Sequence, residues 1–322
     1  MIAPGFTLAG AAVYLPARVD TAAAAISRGV ITMPDSRGEG FESLPVSEGL
    51  AGAELGVRAS ELALTQAGVG PLEVDALVYA WVFRQGASVW SPAHRVARLL
   101  GAHRCVALGV QQMSNGGAAA LEIALARLLT EPSCRTVVVA TGDEFRGLPY
   151  DRWRGSIPVG DGGTAVVVTS GTGRHTVSSI VSAGAPGLEL DFFRSDPFDA
   201  EGGVAASPFG RFAAVDGFRQ CVGEAVEQAL KEAELTADDP SISTVLLPRA
   251  GTSRNRHLIT AALPPALRPK VVRTGATTGH LGAGDLLANL AEYGAPAPGR
   301  HHLLVSIAAG LTVTAAITTG HA

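Results

Sequence analysis

Short runs of apolar residues alternate with Ala- and Gly-rich stretches of helical spacing along the chain, and that alternation confines it to an α/β architecture. Leu8–Leu15, Val74–Val82, Val106–Val110 and Thr136–Thr141 are short and largely apolar, as buried strands are. Between them, Ala51–Gly68 spaces its apolar residues three and four apart, which predicts a helix. Ser91-Pro-Ala opens a second helix with proline in its first turn, running to Leu100-Gly101. Gly116–Leu129 is a nearly all-apolar helix, and Pro158–Thr169 runs a Gly-rich turn into a further strand.

The theme then repeats. Thr176–Ala183 reads as a strand, Leu188–Pro208 as a loop, and Arg211–Ala233 as a helix. Val245–Leu247 is a strand and Leu281–Tyr293 a helix. His302–Ala308 and Thr312–Thr318 close the chain around a turn at Gly310. Two similar halves, 1–172 and 173–322, point to a duplicated unit, although no residue-level repeat is visible. The stretch 21–50 reads as irregular, loosest at Met33–Gly40. With 322 residues and 47% hydrophobic content a sizeable core is expected. The 39 glycines and 5% aromatics favour close packing of helices on sheets.

A net charge of −4 and a pI near 6.1 give no electrostatic case for nucleic acid or an anionic membrane. Cys105, Cys134 and Cys221 form no CxxC or Cys/His ligand spacing, so no metal is expected and a reduced, cytoplasmic setting fits. No basic segment followed by a long apolar stretch opens the chain, so no signal peptide is expected. No apolar run approaches the roughly 20 residues of a membrane span.

Two segments carry chemistry. Ser114 lies in Val110-Gln-Gln-Met-Ser-Asn-Gly-Gly117, between a strand and an Ala-rich helix. His280 and Asp285 lie in Thr278-Gly-His-Leu-Gly-Ala-Gly-Asp285, which opens another helix. A hydroxyl on a tight turn, a histidine and a carboxylate are the components of an acyl-transferring triad. Each also has a plain structural reading. Serine before Gly-Gly is a helix N-cap, histidine can bridge helices, and a carboxylate favours a helix N-terminus.

Several stretches together resemble the thiolase fold in its ketoacyl-ACP synthase III branch. Leu100-Gly101 followed by Val106–Gly117 is similar to that family's nucleophile strand and turn. Val159-Gly-Asp-Gly-Gly-Thr-Ala-Val166 resembles its Gly-Asp-Gly-Ala segment, and Ile307-Ala-Ala-Gly-Leu-Thr312 its C-terminal glycine-rich turn. The resemblance spans nearly the whole chain and implies an α/β, duplicated, five-layer αβαβα fold. The chain departs from the condensing enzymes at three places. Ser114 stands where they carry cysteine, Arg249 where they carry histidine, and His280 where they carry asparagine, with Asp285 about one helical turn on. That set resembles acyltransferases of antibiotic pathways, polyketide assembly included.

The resemblance implies Ser114 as nucleophile, His280 as base, and Asp285 as the group that orients the histidine. It implies an oxyanion hole from the backbone N–H of Ser114 and Ala309. Arg249, Trp81 and Trp90 are the candidate substrate-binding residues, with Arg249 alternatively an ion-pair residue and the tryptophans alternatively at a subunit interface. Asp161 is expected to hold a turn, and Arg152-Trp-Arg154 either meets an acidic carrier protein or is a solvated loop. No cofactor is expected beyond the acyl thioester itself, on acyl carrier protein phosphopantetheine or coenzyme A. The family's early Trp and Arg segment that grips coenzyme A is missing from 21–50, which counts against CoA as donor. The implied activity is transfer of the acyl group through an acyl-serine to a hydroxyl or amine of a small-molecule natural product, by a homodimer. The alternatives are a priming ketosynthase that forms a carbon–carbon bond and a non-catalytic partner of the same fold.

Overall fold

The computed structural model describes residues 5–33, 40–154, 157–171, 173–191, 216–251 and 254–322. The first half contains β1 (Phe6–Tyr14), the small pair β2 (Val19–Thr21) and β3 (Ser43–Pro45), and α1 (Ala22–Ser27) between them. It continues through α2 (Gly52–Ala67), β4 (Ala76–Ala80), α3 (Pro92–Leu100), β5 (Val106–Val110), α4 (Gly116–Thr130), β6 (Thr136–Asp143) and β7 (Gly162–Ser170). The second half contains β8 (His175–Gly184), α5 (Asp216–Glu232), β9 (Ile242–Leu246), α6 (Arg254–Ala262), α7 (Asp285–Tyr293), β10 (His301–Ala308) and β11 (Thr312–Gly320).

Among the described residues nine strands form one sheet in the order β5-β4-β6-β7-β1-β8-β11-β10-β9, and β2 and β3 pair apart from it. The order is the same in both halves when each is read from its outer edge. On one side β5 and β6 flank β4 in parallel, and β7 and β1 follow antiparallel. On the other β10 lies parallel to β9, with β11 and β8 antiparallel beyond it. The counterpart of β5 is rudimentary: Val271 bridges Val245 in parallel, and Val272 N–H donates to Val245 O at 3.2 Å. Within the sheet the halves meet where Thr7 of β1 pairs with Thr176 of β8.

Layers follow from which strand faces are apolar. Val57, Leu64 and Val96 of α2 and α3 cover Leu77, Val138 and Val167 on one outer face. Val222, Val226 and Ile259 of α5 and α6 cover Val245, Leu303 and Ile317 on the other. Between the two halves lie α4 and α7. Their Leu121, Leu125, Leu286 and Leu287 pack on Val78, Val139 and Val166 from one half and on Leu246, Leu304 and Ala316 from the other. A helix enclosed between the two halves of the sheet has little solvent face, which is why Gly116–Leu129 is apolar nearly all round, with Ile123 and Leu129 its exposed positions. Burying each such leucine contributes roughly 1.5–3 kcal/mol. The result is five layers, αβαβα.

Several expectations are refined. The stretch 21–50 is less irregular than its composition indicates. Thr21 Oγ1 accepts the Ala24 N–H at 3.2 Å and caps α1, and β2 pairs with β3. Helix α6 has a weak apolar periodicity and was not expected. Helix α7 begins at Asp285 after a 3-10 turn, Gly282–Gly284, rather than at Leu281. Most of the loose stretch 33–40, most of the loop expected over 188–208, and 211–215 of the helix expected from Arg211 lie outside the described residues; 216–232 form α5. Among the described residues no helix is long and apolar enough to cross a membrane, and no His/Cys/Asp/Glu group could hold a metal.

Candidate active site

Strand β5 delivers the chain to a tight turn over 112–116. Asn115 N–H donates to Gln112 O at 3.1 Å and Gly116 N–H to Met113 O at 2.9 Å. Met113 adopts φ +48°, a left-handed conformation that costs a non-glycine residue about 1 kcal/mol or more. The turn is held by Asn115, whose side-chain amide donates to Gln112 Oε1 and to Thr314 Oγ1 of β11, both at 2.8 Å. Ser114 therefore sits just ahead of α4, tied to the second half of the fold.

His280 is fixed through its backbone. Its N–H donates to Pro158 O at 2.9 Å, and its carbonyl accepts the Gly160 N–H at 3.0 Å. The 158–163 segment thus holds the histidine in place. Beyond His280 the chain turns at Gly282 (φ +61°) and places Asp285 at the first residue of α7. Glycine also sets how closely the two active segments approach. A Cβ on Gly117 would lie 2.5 Å from Ala283 O, and one on Gly116 would lie 3.1 Å from Ala283 Cβ. Helix α4 therefore packs its bare backbone against the turn that follows His280.

The side chains form one line. Ser114 Oγ lies 2.7 Å from His280 Nε2, and His280 Nδ1 lies 2.7 Å from Asp285 Oδ2. Asp285 also accepts the Arg249 N–H on Oδ2 at 2.8 Å and the Leu281 N–H on Oδ1 at 2.9 Å. A carboxylate only accepts, so Nδ1 carries the ring proton and the Nε2 of a neutral ring accepts from the serine hydroxyl. Burial depresses the His280 pKa, but the Asp285 charge and hydrogen bond, with the Asp143 charge, outweigh burial and leave it raised. Burial raises Asp285, yet His280, Arg249 and the Leu281 N–H outweigh it and leave it lowered. The pair favours imidazolium beside carboxylate, the charge state a base reaches on taking a proton.

The structure brings Ser114, His280 and Asp285 together; Arg249 takes a different part. Its side chain is 1% exposed, with Nη1 donating to Thr278 Oγ1 at 2.9 Å and Nη2 2.7 Å from Glu292 Oε2. Of the two readings of Arg249 the structure shows the ion pair, with a half-exposed Glu292, and the Arg249 backbone N–H donates to Asp285. Trp81 stacks on Tyr79 with ring centroids 5.7 Å apart and lies over Gly109 of the edge strand β5. Trp90 is half-exposed beside Gly86. Ala309 lies in the β10–β11 turn, and Ser306 Oγ of β10 is 3.5 Å from Ser114 O. Among the described residues, neither the Ser114 nor the Ala309 backbone N–H has a protein acceptor.

Arg152 is largely internal as well, its charge taken up within the fold. Its Nη1 lies 3.1 Å from Asp161 Oδ1, and Asp161 also accepts the N–H groups of Ser47 and Phe145. Trp153 is buried with Nε1 donating to Asp20, and Arg154 donates to Val30 O and Gly29 O. Cys134 and Cys221 are core residues, and burial pushes the thiols of all three cysteines up, which disfavours thiolate. Sequence reasoning missed Asp143, a fully buried carboxylate at the end of β6 whose charge acts on His280. In Thr141-Gly-Asp-Glu-Phe145 it carries no spacing signal that separates it from a surface turn.

No protein-family model matches the chain, and no curated protein matches its sequence. Solved structures do. The chain is 26% identical to ChlB3, described as an acyltransferase, over 99% of this chain and 98% of that one, with a TM-score of 0.87. It is 20% identical to the 3-oxoacyl-(acyl carrier protein) synthase III FabH of Pseudomonas aeruginosa PAO1, over 99% of both chains, with a TM-score of 0.81. The priming β-ketosynthase of the R1128 polyketide pathway matches at 20% identity over 98% of this chain and 96% of that one, with a TM-score of 0.78.

Proposed function

We infer that this chain, a FabH-like member of the thiolase superfamily, is an acyltransferase that works through an acyl-serine. The observation that carries this reading is the hydrogen-bonded line from Ser114 Oγ through His280 to Asp285. As Ser114 Oγ attacks a thioester carbonyl, His280 Nε2 takes the serine proton and Asp285 stabilises the imidazolium. The oxyanion forms near the Ser114 and Ala309 N–H groups; one such donor is worth about 3–4 kcal/mol of barrier. The thiolate leaves with the proton from His280. An incoming hydroxyl or amine then gives its proton to His280 and attacks the acyl-serine carbon, and the ring returns the proton to Ser114 Oγ. Atoms and charges balance, and neither metal nor redox partner is required.

Transfer to oxygen or nitrogen is favoured over carbon–carbon condensation by the makeup of the site. A single imidazole serves it, and Arg249 is turned away toward Glu292. The donor is a thioester on a carrier protein or coenzyme A, and the acceptor a small molecule of an antibiotic or polyketide pathway. The chain acts as a homodimer: β5 is an open sheet edge, with Val106 45% exposed and no charged residue along it.

The test is intact-protein mass spectrometry after incubation with a panel of carrier-bound and CoA acyl thioesters. We expect an adduct on Ser114, its loss in Ser114→Ala, and its discharge by a hydroxyl or amine. Asn115, not Ser114, stands at the N-cap of α4, and the Ser114 hydroxyl bonds His280; losing one such hydrogen bond costs about 0.5–1.5 kcal/mol, so Ser114→Ala should remain folded. Malonyl-thioester decarboxylation coupled to a carbon–carbon product would overturn the reading in favour of a priming ketosynthase.

A further inference from the structure

We propose that Asp143 is a positioning residue for His280, clamping the histidine-bearing turn onto the nucleophile half and adding a second negative charge behind the ring. The inference rests on His280 acting as the base for Ser114. Asp143 ends β6 with its carboxylate fully buried. Its Oδ1 accepts the Val82 N–H at 2.9 Å and the Phe83 N–H at 2.8 Å, both just beyond β4. Its Oδ2 accepts the Ala283 N–H at 3.0 Å, three residues beyond His280. One carboxylate thus joins the strand ends of the first half to the catalytic turn of the second. The fit is close: a Cβ on Gly282 would stand 2.2 Å from Asp143 Oδ2. The same turn carries Ala283, against which Gly116 and Gly117 pack. Asp143 therefore fixes the surface on which the nucleophile helix rests.

The charge matters as well as the clamp. The charged groups acting on His280 are Asp285 and Asp143, which favour imidazolium, and Arg249, which opposes it. Asp143 itself is faced by the Tyr79 hydroxyl and by His280. Burial pushes its carboxyl up to about 6, against the pull of three backbone N–H groups and His280. At neutral pH the group is mostly ionised, and it loses its charge just below the range in which His280 must act.

The test is Asp143→Asn with two independent readouts. The His280 ring titration is followed by NMR in the resting protein, and Ser114 acylation is followed across pH by mass spectrometry. We expect the His280 midpoint to fall by about half a pH unit or more, the scale of one charge acting through partly screened protein, and acylation to fall about 10- to 100-fold. A purely structural Asp143 would slow acylation and leave the midpoint in place, which overturns the proposal. If Asp143→Asn does not fold, the wild-type titration decides. A second inflection of the His280 ring signals near the Asp143 midpoint supports the coupling, and a single inflection refutes it. Absence of any acyl-enzyme in the wild type would sink the acyltransferase reading, and the NMR readout would still judge Asp143.

Discussion

Replacing Asp285 by asparagine tests the triad most sharply, because the isosteric change removes a charge and limits the acceptors. Asp285 Oδ2 serves His280 Nδ1–H and the Arg249 N–H, and Oδ1 serves the Leu281 N–H. An amide has one oxygen. With that oxygen at the Oδ2 site, its NH2 faces the Leu281 N–H. Flipped, the NH2 faces the Arg249 N–H and donates to Nδ1, which moves the ring proton to Nε2 and leaves Ser114 without a base. Either orientation leaves a backbone N–H facing an amide NH2, and so at least one buried donor unsatisfied, at about 1–3 kcal/mol each. Loss of the carboxylate from such triads costs about 10⁴-fold in rate, so Asp285→Asn should lower Ser114 acylation by that order.

Its pH dependence should change in a defined direction. In the wild type His280 is raised above its ordinary 6.5, so acylation should climb through a midpoint above that value as the ring deprotonates. A raised histidine stabilises the fold below its unfolded pKa, and this contribution is lost as pH rises through the folded value. Asp285 is lowered, so its contribution is present above its ordinary 3.8 and lost as pH falls through the folded value. Asp285→Asn should remove both contributions, shift the acylation midpoint down, and flatten the His280 part of the stability profile above neutrality. Acylation kinetics by mass spectrometry and urea unfolding at several pH values measure these. An unmoved midpoint with a rate within tenfold of wild type would refute the assignment of Asp285.

Gly117→Ala should separate catalysis from stability. The new methyl would stand 2.5 Å from Ala283 O, an overpacking cost of about 1–3 kcal/mol partly offset by about 1 kcal/mol of helix propensity. Acylation should fall about 100-fold as the Ser114–His280 contact stretches, more than the net loss of about 0–2 kcal/mol in stability accounts for; a wild-type rate would contradict the close-packing argument. Ala107→Pro should yield a monomer by sedimentation. Val106 N–H and Val110 C=O point to the β4 side, so alternation turns the Ala107 N–H to the open edge; an intact dimer would place the interface elsewhere.

The sequence revealed the α/β alternation because strands covered on both faces are apolar along their length, as β4 and β6 are. Ser114 and the His280–Asp285 segment stood out because each couples a reactive side chain to glycines at a helix start. Arg249 stayed open between a substrate contact and an ion pair because a fully buried guanidinium runs against its usual place at surfaces, and Glu292, its partner, lies 43 residues on with no spacing rule to link them. Asp143 was invisible because its partners are backbone N–H groups at 82, 83 and 283, which leave no mark on side-chain identity. The fifth strand of the second half was missed because it consists of little more than Val271 and Val272.

Ser114 belongs to one half of the fold and His280 with Asp285 to the other, so turnover through the proposed triad is a property of their docking and of neither half alone. A molecule whose halves drift apart by about an ångström would keep its helices, its strands and its circular dichroism while losing most of its rate. Activity is then a finer gauge of the assembled molecule than any spectroscopic signal. In rising denaturant it should fade first, as the earliest sign of the two halves parting.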